Sequence, residues 1–307
     1  MSQVKAVVSV LGRDQKGVVA RFATYLAEHG VNILDIEQQV VHGHFLMDML
    51  VDLSELTLSL DELITGLLGL GEQIDMQVRV TLASRRKPKR IAVLVSKEAH
   101  CLEQIIEDWQ FGRYRGEPVC VLSNHPDLEP VARKAGLPFA WKEAPAERKE
   151  GKEAHFQWLG EQLAQYEPDV IVLARYMQIV PPWLVQRYPS RIINIHPSLL
   201  PYFPGAKPYH QAWEQGVRVS GCTAHFVTEK LDEGPIILQD VFHIDVGRDT
   251  AEDVKRKGRQ LEGRVLSEAV RMMLDEKLVV VDDKVVFRPG LSTLLEHEED
   301  GSGAGGT

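Results

Sequence analysis

The chain has 307 residues, 44% apolar and 26% charged, with a formal net charge of −9, which suits two globular domains and excludes a disordered or fibrous chain. An acidic balance argues against a nucleic-acid or anionic-membrane partner, and no apolar run approaches the ~20 residues of a membrane helix. Three widely spaced cysteines, Cys101, Cys120 and Cys222, fit neither a disulfide framework nor a zinc site, and with no secretory leader they point to the reducing cytoplasm.

In chain order, residues 1–84 read as a first domain. Val4, Ala6, Val8 and Val10 alternate on one face of a strand. A loop over 11–19 follows, then a helix over 16–29 that Gly30 stops. Residues 31–41 make a second strand and His42-Gly43 a hairpin turn. The third strand sets Phe45, Met47, Met49, Val51 and Leu53 on one face and Asp48 and Asp52 on the other. A helix over 60–70 and a strand with Met76, Val78, Val80 and Leu82 complete a two-layer α+β sandwich with one polar face. The loop pattern Gly12-x-Asp14-x-x-Gly17-Val18-Val19, followed by Gly30-Val31-Asn32-Ile33, resembles the ACT domain, a small ferredoxin-like module that commonly senses amino acids. The resemblance implies an amino-acid effector, glycine or methionine, near Gly12, Asp14, Gly17 and Asn32, and a homo-oligomer paired through such sheets. The plainer reading leaves the glycines as turn formers and Asp14 as a helix cap.

Arg-Arg-Lys-Pro-Lys-Arg at 85–90 reads as a basic linker; without interleaved aromatics it is poor evidence for nucleic-acid binding. The second domain, 91–289, alternates elements. Strands are expected at 91–96, 117–122, 169–173 and 191–195, and helices at 99–109, 128–135 and 154–166. Longer strands follow at 219–228 and 235–243, then a helix over 250–274 opened by a capping-box-like Thr250-Ala-Glu-Asp253. A hairpin at 278–281 and 284–287 comes last, then an acidic, glycine-rich tail over 290–307 that should be disordered. The expected fold is α/β: the ferredoxin-like domain, then a doubly wound, mostly parallel Rossmann-like sheet. Ser96-Lys97-Glu98-Ala99-His100, after the first of these strands, contains no glycine, so no dinucleotide fingerprint is present there, which argues against a nicotinamide dehydrogenase.

Chemistry concentrates between 194 and 234. The segment Asn194-Ile195-His196-Pro197-Ser198-Leu199-Leu200-Pro201-Tyr202-Phe203-Pro204-Gly205 begins where a buried strand ends, the usual place for ligands in open α/β sheets. Asn194 and His196 are two apart and share a side of the strand. Gly221-Cys222-Thr223-Ala224-His225-Phe226-Val227 leads to Leu231-Asp232-Glu233-Gly234-Pro235, which sets a carboxylate in a tight turn. An amide, an imidazole and a carboxylate form a plausible acid/base set, although each alone reads as a loop cap or turn. His196, His210 and His225 lack metal-ligand spacing, and no metal is expected.

Asn194–Gly205 and His225–Pro235 together resemble the folate-dependent formyltransferases, over roughly residues 90–287. That resemblance implies catalytic roles for Asn194, His196 and Asp232. It also implies a folate pocket at Arg175, Tyr176, Met177, Val180, His225, Val227, Thr228 and Gly234. Within that family, the chain is most similar to the deformylases. An ACT-like domain comes first, a Gly-x-Gly-Ser-Asn phosphate loop is missing at 96–102, and the chain ends acidic rather than in a basic RNA-binding domain. The expected activity is hydrolysis of 10-formyltetrahydrofolate to formate and tetrahydrofolate, which supplies formate for purine synthesis and balances one-carbon folate pools. Folate is substrate, with no permanently bound cofactor. Asp232 is expected to act as base while His196 and Asn194 donate to the oxyanion. Two other readings stay open: a formyltransferase with an unidentified amine acceptor, and a catalytically silent folate or amino-acid sensor.

Overall fold

The computed structural model describes residues 4–82, 87–145, 149–202 and 208–288. The expected tail over 290–307, residues 85–86 of the basic linker and residues 203–205 of the Asn194–Gly205 segment lie outside them. Among the described residues the chain divides into two compact units: 4–82 and 87 with 275–281 and 286–288, and 88–145, 149–202 and 208–274 with 282–285.

The first unit contains β1 (Lys5–Arg13), α1 (Val18–Glu28), β2 (Asn32–Val41), β3 (His44–Asp52), α2 (Leu60–Gln73) and β4 (Met76–Leu82), with an antiparallel sheet in the order β2-β3-β1-β4. Alternation explains the core: Ala6, Val8, Val10, Phe45, Met47, Met49 and Val51 meet Phe22, Leu26, Leu63 and Leu67 from the two helices. Gly30, at φ 73°, follows the last turn of α1 and its N–H reaches Ala27 O, as a left-handed helix stop requires. Ser59 and Glu62 close a reciprocal capping box on α2.

Two expectations for this unit change. β1 runs on through Gly12 and Arg13, which pair with Phe45 and His44, so the loop begins only at Asp14. The second face of the sheet is not simply polar. Val7, Leu46 and Leu50 are buried there, Asp48 is 2% exposed, and Val279 and Val281 cluster with Leu46. Asp48 faces Arg288 at 3.7 Å, and Gln39 donates to Phe287 O. The expectation that 91–289 form one domain is therefore corrected at its end: Val279, Val281 and Val286 join the first unit, because its sheet offers apolar residues on both faces.

The second unit contains β5 (Lys89–Val95), α3 (His100–Gln110), β6 (Gly116–Ser123), α4 (Glu129–Lys134), β7 (Phe139–Trp141), α5 (Lys149–Tyr166), β8 (Val170–Ala174), α6 (Pro182–Arg187), β9 (Ile192–His196), α7 (Pro208–Glu214), β10 (Val219–Phe226), β11 (Ile236–His243) and α8 (Ala251–Leu274). Its sheet order is β11-β10-β9-β8-β5-β6-β7, parallel from β9 to β7, with β10 and β11 antiparallel at one edge. β5 and β8 are almost entirely buried, as strands covered on both faces must be. Lys89 and Arg90, expected in the linker, already belong to β5; Arg90 N donates to the Asp169 carboxylate and Arg90 Nε to Tyr166 O. β12 (Leu278–Val281) and β13 (Lys284–Phe287) form the expected terminal hairpin.

Candidate active site

β9 ends at the carboxyl edge of the parallel sheet and carries Asn194 and His196 on one face. Antiparallel pairing with β10 sets His225 opposite Asn194 and Thr223 opposite His196, so the first two side chains meet directly. Asn194 Nδ2 lies 3.2 Å from His225 Nε2, and His225 Nδ1 lies 2.9 Å from Phe226 O. A carbonyl only accepts, so Nδ1 carries the His225 proton and Nε2 accepts from the Asn194 amide. Burial pushes the His225 pKa below its usual value and keeps this tautomer neutral. One amide hydrogen is then used, and the other remains for a substrate.

Asp232 comes from the turn between β10 and β11. Its backbone is left-handed, at φ 56°. Gly234 lies so close beneath Phe226 O that a Cβ would overlap that oxygen and approach Thr228 Cγ2, and Phe226 N donates to Pro235 O across the turn. Only glycine fits there. The turn delivers Asp232 Oδ2 to 3.2 Å from His196 Nδ1 and Oδ1 to 3.7 Å from His225 Nε2. The hydrogen bond from His196 outweighs burial and holds the Asp232 carboxyl below the usual range. His196 Nε2 is buried and has no hydrogen-bond partner among the described residues. Beyond His196 the chain is steadied by Thr223, whose hydroxyl donates to Ser198 O at 2.7 Å and accepts from Leu200 N.

These groups share a cavity of about 770 Å³. Arg175, Tyr176, Met177, Val180, His225, Val227 and Thr228, expected at the folate pocket, all line it; Gly234 does not and acts only on the turn. Their side chains differ in role. Met177 is exposed, while Tyr176 is buried and bonded through its hydroxyl to His155 Nε2. His155 Nδ1 in turn donates to Lys142 O. Arg175, at φ 61°, is drawn to Glu98 and Glu262. Another wall of the cavity is a set of charged groups, Glu98, Arg259 and Glu262, of which sequence reasoning noted only Glu98, in the glycine-free loop after the first strand of the second domain. Glu262 stands between the buried Leu261 and Val265 on the apolar side of α8, an acid out of phase with its neighbours, and that was the readable signal.

Among the described residues, His100, Cys101 and Glu262 are a group with metal-ligand spacing. A cation there would compete with Arg175, whose Nε already lies 3.4 Å from Glu262 Oε2, and burial holds the Cys101 thiol protonated. These residues therefore suit an ion-pair network better than a metal.

In the first unit the four effector candidates separate. Gly12 lies within β1, Asp14 N donates to Gly43 O, and Gly17, at φ 86°, begins α1 with no side-chain cap. Asp14 is thus not the helix cap. Asn32 pairs with Asp52, level with Lys5, at the opposite end of the sheet from Gly12. Gly12, Asp14 and Gly17 form one neighbourhood and Asn32 another.

Family models match in the same order as the two units: an ACT domain model covers residues 5–81 and a formyl transferase model covers residues 89–270. The formyltetrahydrofolate deformylase of Bacillus subtilis is 40% identical over 277 residues, covering 89% of this chain and 90% of its own. That of Synechocystis is 39% identical over 288 residues, covering 93% and 99%. The crystal structure of a formyltetrahydrofolate deformylase from Pseudomonas syringae pv. tomato superimposes with a TM-score of 0.83 at 35% identity, covering 94% of this chain and 95% of that one.

Proposed function

The chain belongs to the formyltetrahydrofolate deformylase family and hydrolyses 10-formyltetrahydrofolate to formate and tetrahydrofolate; we propose that Asn194, His196 and Asp232 carry that reaction in the cavity they share. The observation behind this assignment is the conjunction of an ionised carboxylate on His196 Nδ1, a buried and unpartnered His196 Nε2, and an Asn194 amide oriented by His225.

Folate lies against Met177, Val180 and Val227, with its formyl group beside β9. Water attacks the formyl carbon while Asp232 takes its proton. The formyl oxygen becomes an oxyanion that accepts from Asn194 Nδ2 and His196 Nε2. Asp232 holds the imidazole ring in place through Nδ1. Collapse breaks the bond from carbon to N10 as N10 receives from Asp232 the proton taken from water, and tetrahydrofolate leaves with formic acid, which ionises to formate. Asp232 is ionised throughout the neutral range because His196 depresses its pKa. The experiment is formate release by the purified enzyme with no amine present. Turnover that requires an added amine transfers the assignment to a formyltransferase.

The ACT domain indicates a regulatory ligand site, and we place an amino-acid effector, glycine or methionine, by Gly12, Asp14 and Gly17, where a left-handed glycine opens α1. Titrating formate release with each amino acid tests this. Exposed Leu34, Ile36 and Val40 on the edge strand β2 support a homo-oligomer. No helix among the described residues is long and apolar enough to cross a membrane, and three buried free cysteines support a cytoplasmic location. Folate enters as substrate, and the chemistry above draws on no bound cofactor. Its formate product is suited to purine synthesis, and its turnover to balancing one-carbon folate pools.

A further inference from the structure

The cavity has one wall that the hydrolysis above does not use. Glu98, in the loop between β5 and α3, meets Arg175 after β8 and Arg259 and Glu262 on α8. Glu98 engages both guanidiniums with separate oxygens: Oε1 accepts from Arg259 Nη2 at 2.8 Å, and Oε2 faces Arg175 Nε at 3.3 Å. Glu262, 1% exposed, meets Arg175 Nε at 3.4 Å and His100 Nε2 at 3.0 Å through Oε2, and accepts from the Tyr209 hydroxyl at 2.8 Å through Oε1. Two carboxylates and two guanidiniums cancel in charge, which is what allows them to be half-buried together.

Two arginines converging on one carboxylate at the rim of a reaction cavity is the arrangement by which proteins hold the phosphate or carboxylate of a substrate. Here the protein supplies the anion itself. Glu98 immediately precedes α3, whose N-terminal dipole favours a negative charge. Burial opposes its ionisation, but the hydrogen bond from Arg259 and the charge of Arg175 hold it ionised. Arg259 Nε is buried without a hydrogen-bond partner among the described residues, a donor left over for an anion that Glu98 only partly replaces. An anionic amine entering this wall would meet a set already neutral. Water needs no such anchor.

Resting on the site assignment above, we propose that Glu98 is a specificity-determining residue, whose carboxylate occupies Arg175 and Arg259 in place of the anionic group of an amine acceptor and so leaves water as the nucleophile.

The test measures formate release without an acceptor, in rising inorganic phosphate at constant ionic strength, for wild type, Glu98→Gln, Glu98→Ala and Glu98→Asp. Wild type and Glu98→Asp should be insensitive. The two neutral variants should be inhibited at concentrations about tenfold or more below any effect on wild type, the minimum expected of a charge-assisted contact. Adding Arg259→Gln to Glu98→Gln should remove that inhibition. Equal phosphate sensitivity in wild type and both neutral variants overturns the proposal, as does a Glu98→Asp enzyme as sensitive as Glu98→Gln. Phosphate binding to wild type in a phosphorus NMR titration also overturns it, whether or not the neutral variants fold. A wild type that releases no formate without an amine is a different result: it defeats the site assignment itself, and this proposal with it.

Discussion

Asp232 Oδ2 and His196 Nδ1 lie 3.2 Å apart, although the residues come from different sides of β10. Two local features create the contact: the left-handed backbone of Asp232, and the fit of Gly234 beneath Phe226 O. The contact commits the Nδ1 proton of His196 and leaves Nε2 as the nitrogen still to be matched. In the proposed mechanism it couples a base to an oxyanion donor through a single ring.

Replacing Asp232 with asparagine preserves an oxygen that can accept from His196 Nδ1 but removes the base and the negative charge. Turnover in steady-state formate release should fall by roughly 10²–10⁴, the range of general acid–base contributions, with KM little changed. Wild-type turnover in Asp232→Asn would remove Asp232 from the mechanism.

Asn194→Ala deletes the proposed oxyanion donor and leaves His225 Nε2 without its amide partner. Loss of one such donor costs about 10²–10³ in turnover. Single-turnover formate release should show a loss of that size in the chemical step, and substrate binding should be almost unaffected. A defect confined to binding contradicts the role given to the amide.

His225 imposes a direction on stability against pH. Burial lowers its folded pKa below the reference value of 6.5, so the unfolded chain binds the proton more readily. The stability owed to neutral His225 is complete above pH 6.5 and is lost as pH falls through the depressed folded value. In urea unfolding, wild type should lose stability relative to His225→Gln as the pH is lowered past 6.5. A difference that stays constant with pH shows that His225 titrates alike in both states.

Gly234→Ala forces either the Asp232 turn or the end of β10 to move, because the added carbon overlaps Phe226 O. The expected cost is about 1–3 kcal/mol of unfolding free energy, typical of overpacking. Turnover should fall in the same variant, since Asp232 is carried by the same turn. Unchanged values in both denaturation and kinetics would show that the turn has room to spare.

Much of this was legible along the chain. Alternation at Phe45, Met47, Met49 and Val51 marks a sheet face, and Gly30 marks a helix stop. Asn194 and His196 share a strand face because they are two apart. The short elements β7, α6 and α7 escaped, since a strand of three residues or a helix of six or seven has too few positions to show a period. The C-terminal hairpin was legible but its packing was not, because the pattern shows that Val279 and Val281 seek burial but not which sheet will cover them.

The sequence by itself determined the order of the two domains, the residue types at the proposed catalytic positions and the absence of a glycine phosphate loop. All of these are local: they depend on spacing within a few residues. Tertiary structure alone decided which charges meet. Glu98, Arg175, Arg259 and Glu262 come from three separate stretches of chain, and the fold closes them into one neutral wall. The same holds for Asn32, which a shared motif groups with Gly12 and the sheet register places at the other end. Charge pairing and register are long-range, set by packing after the local pattern has been spent.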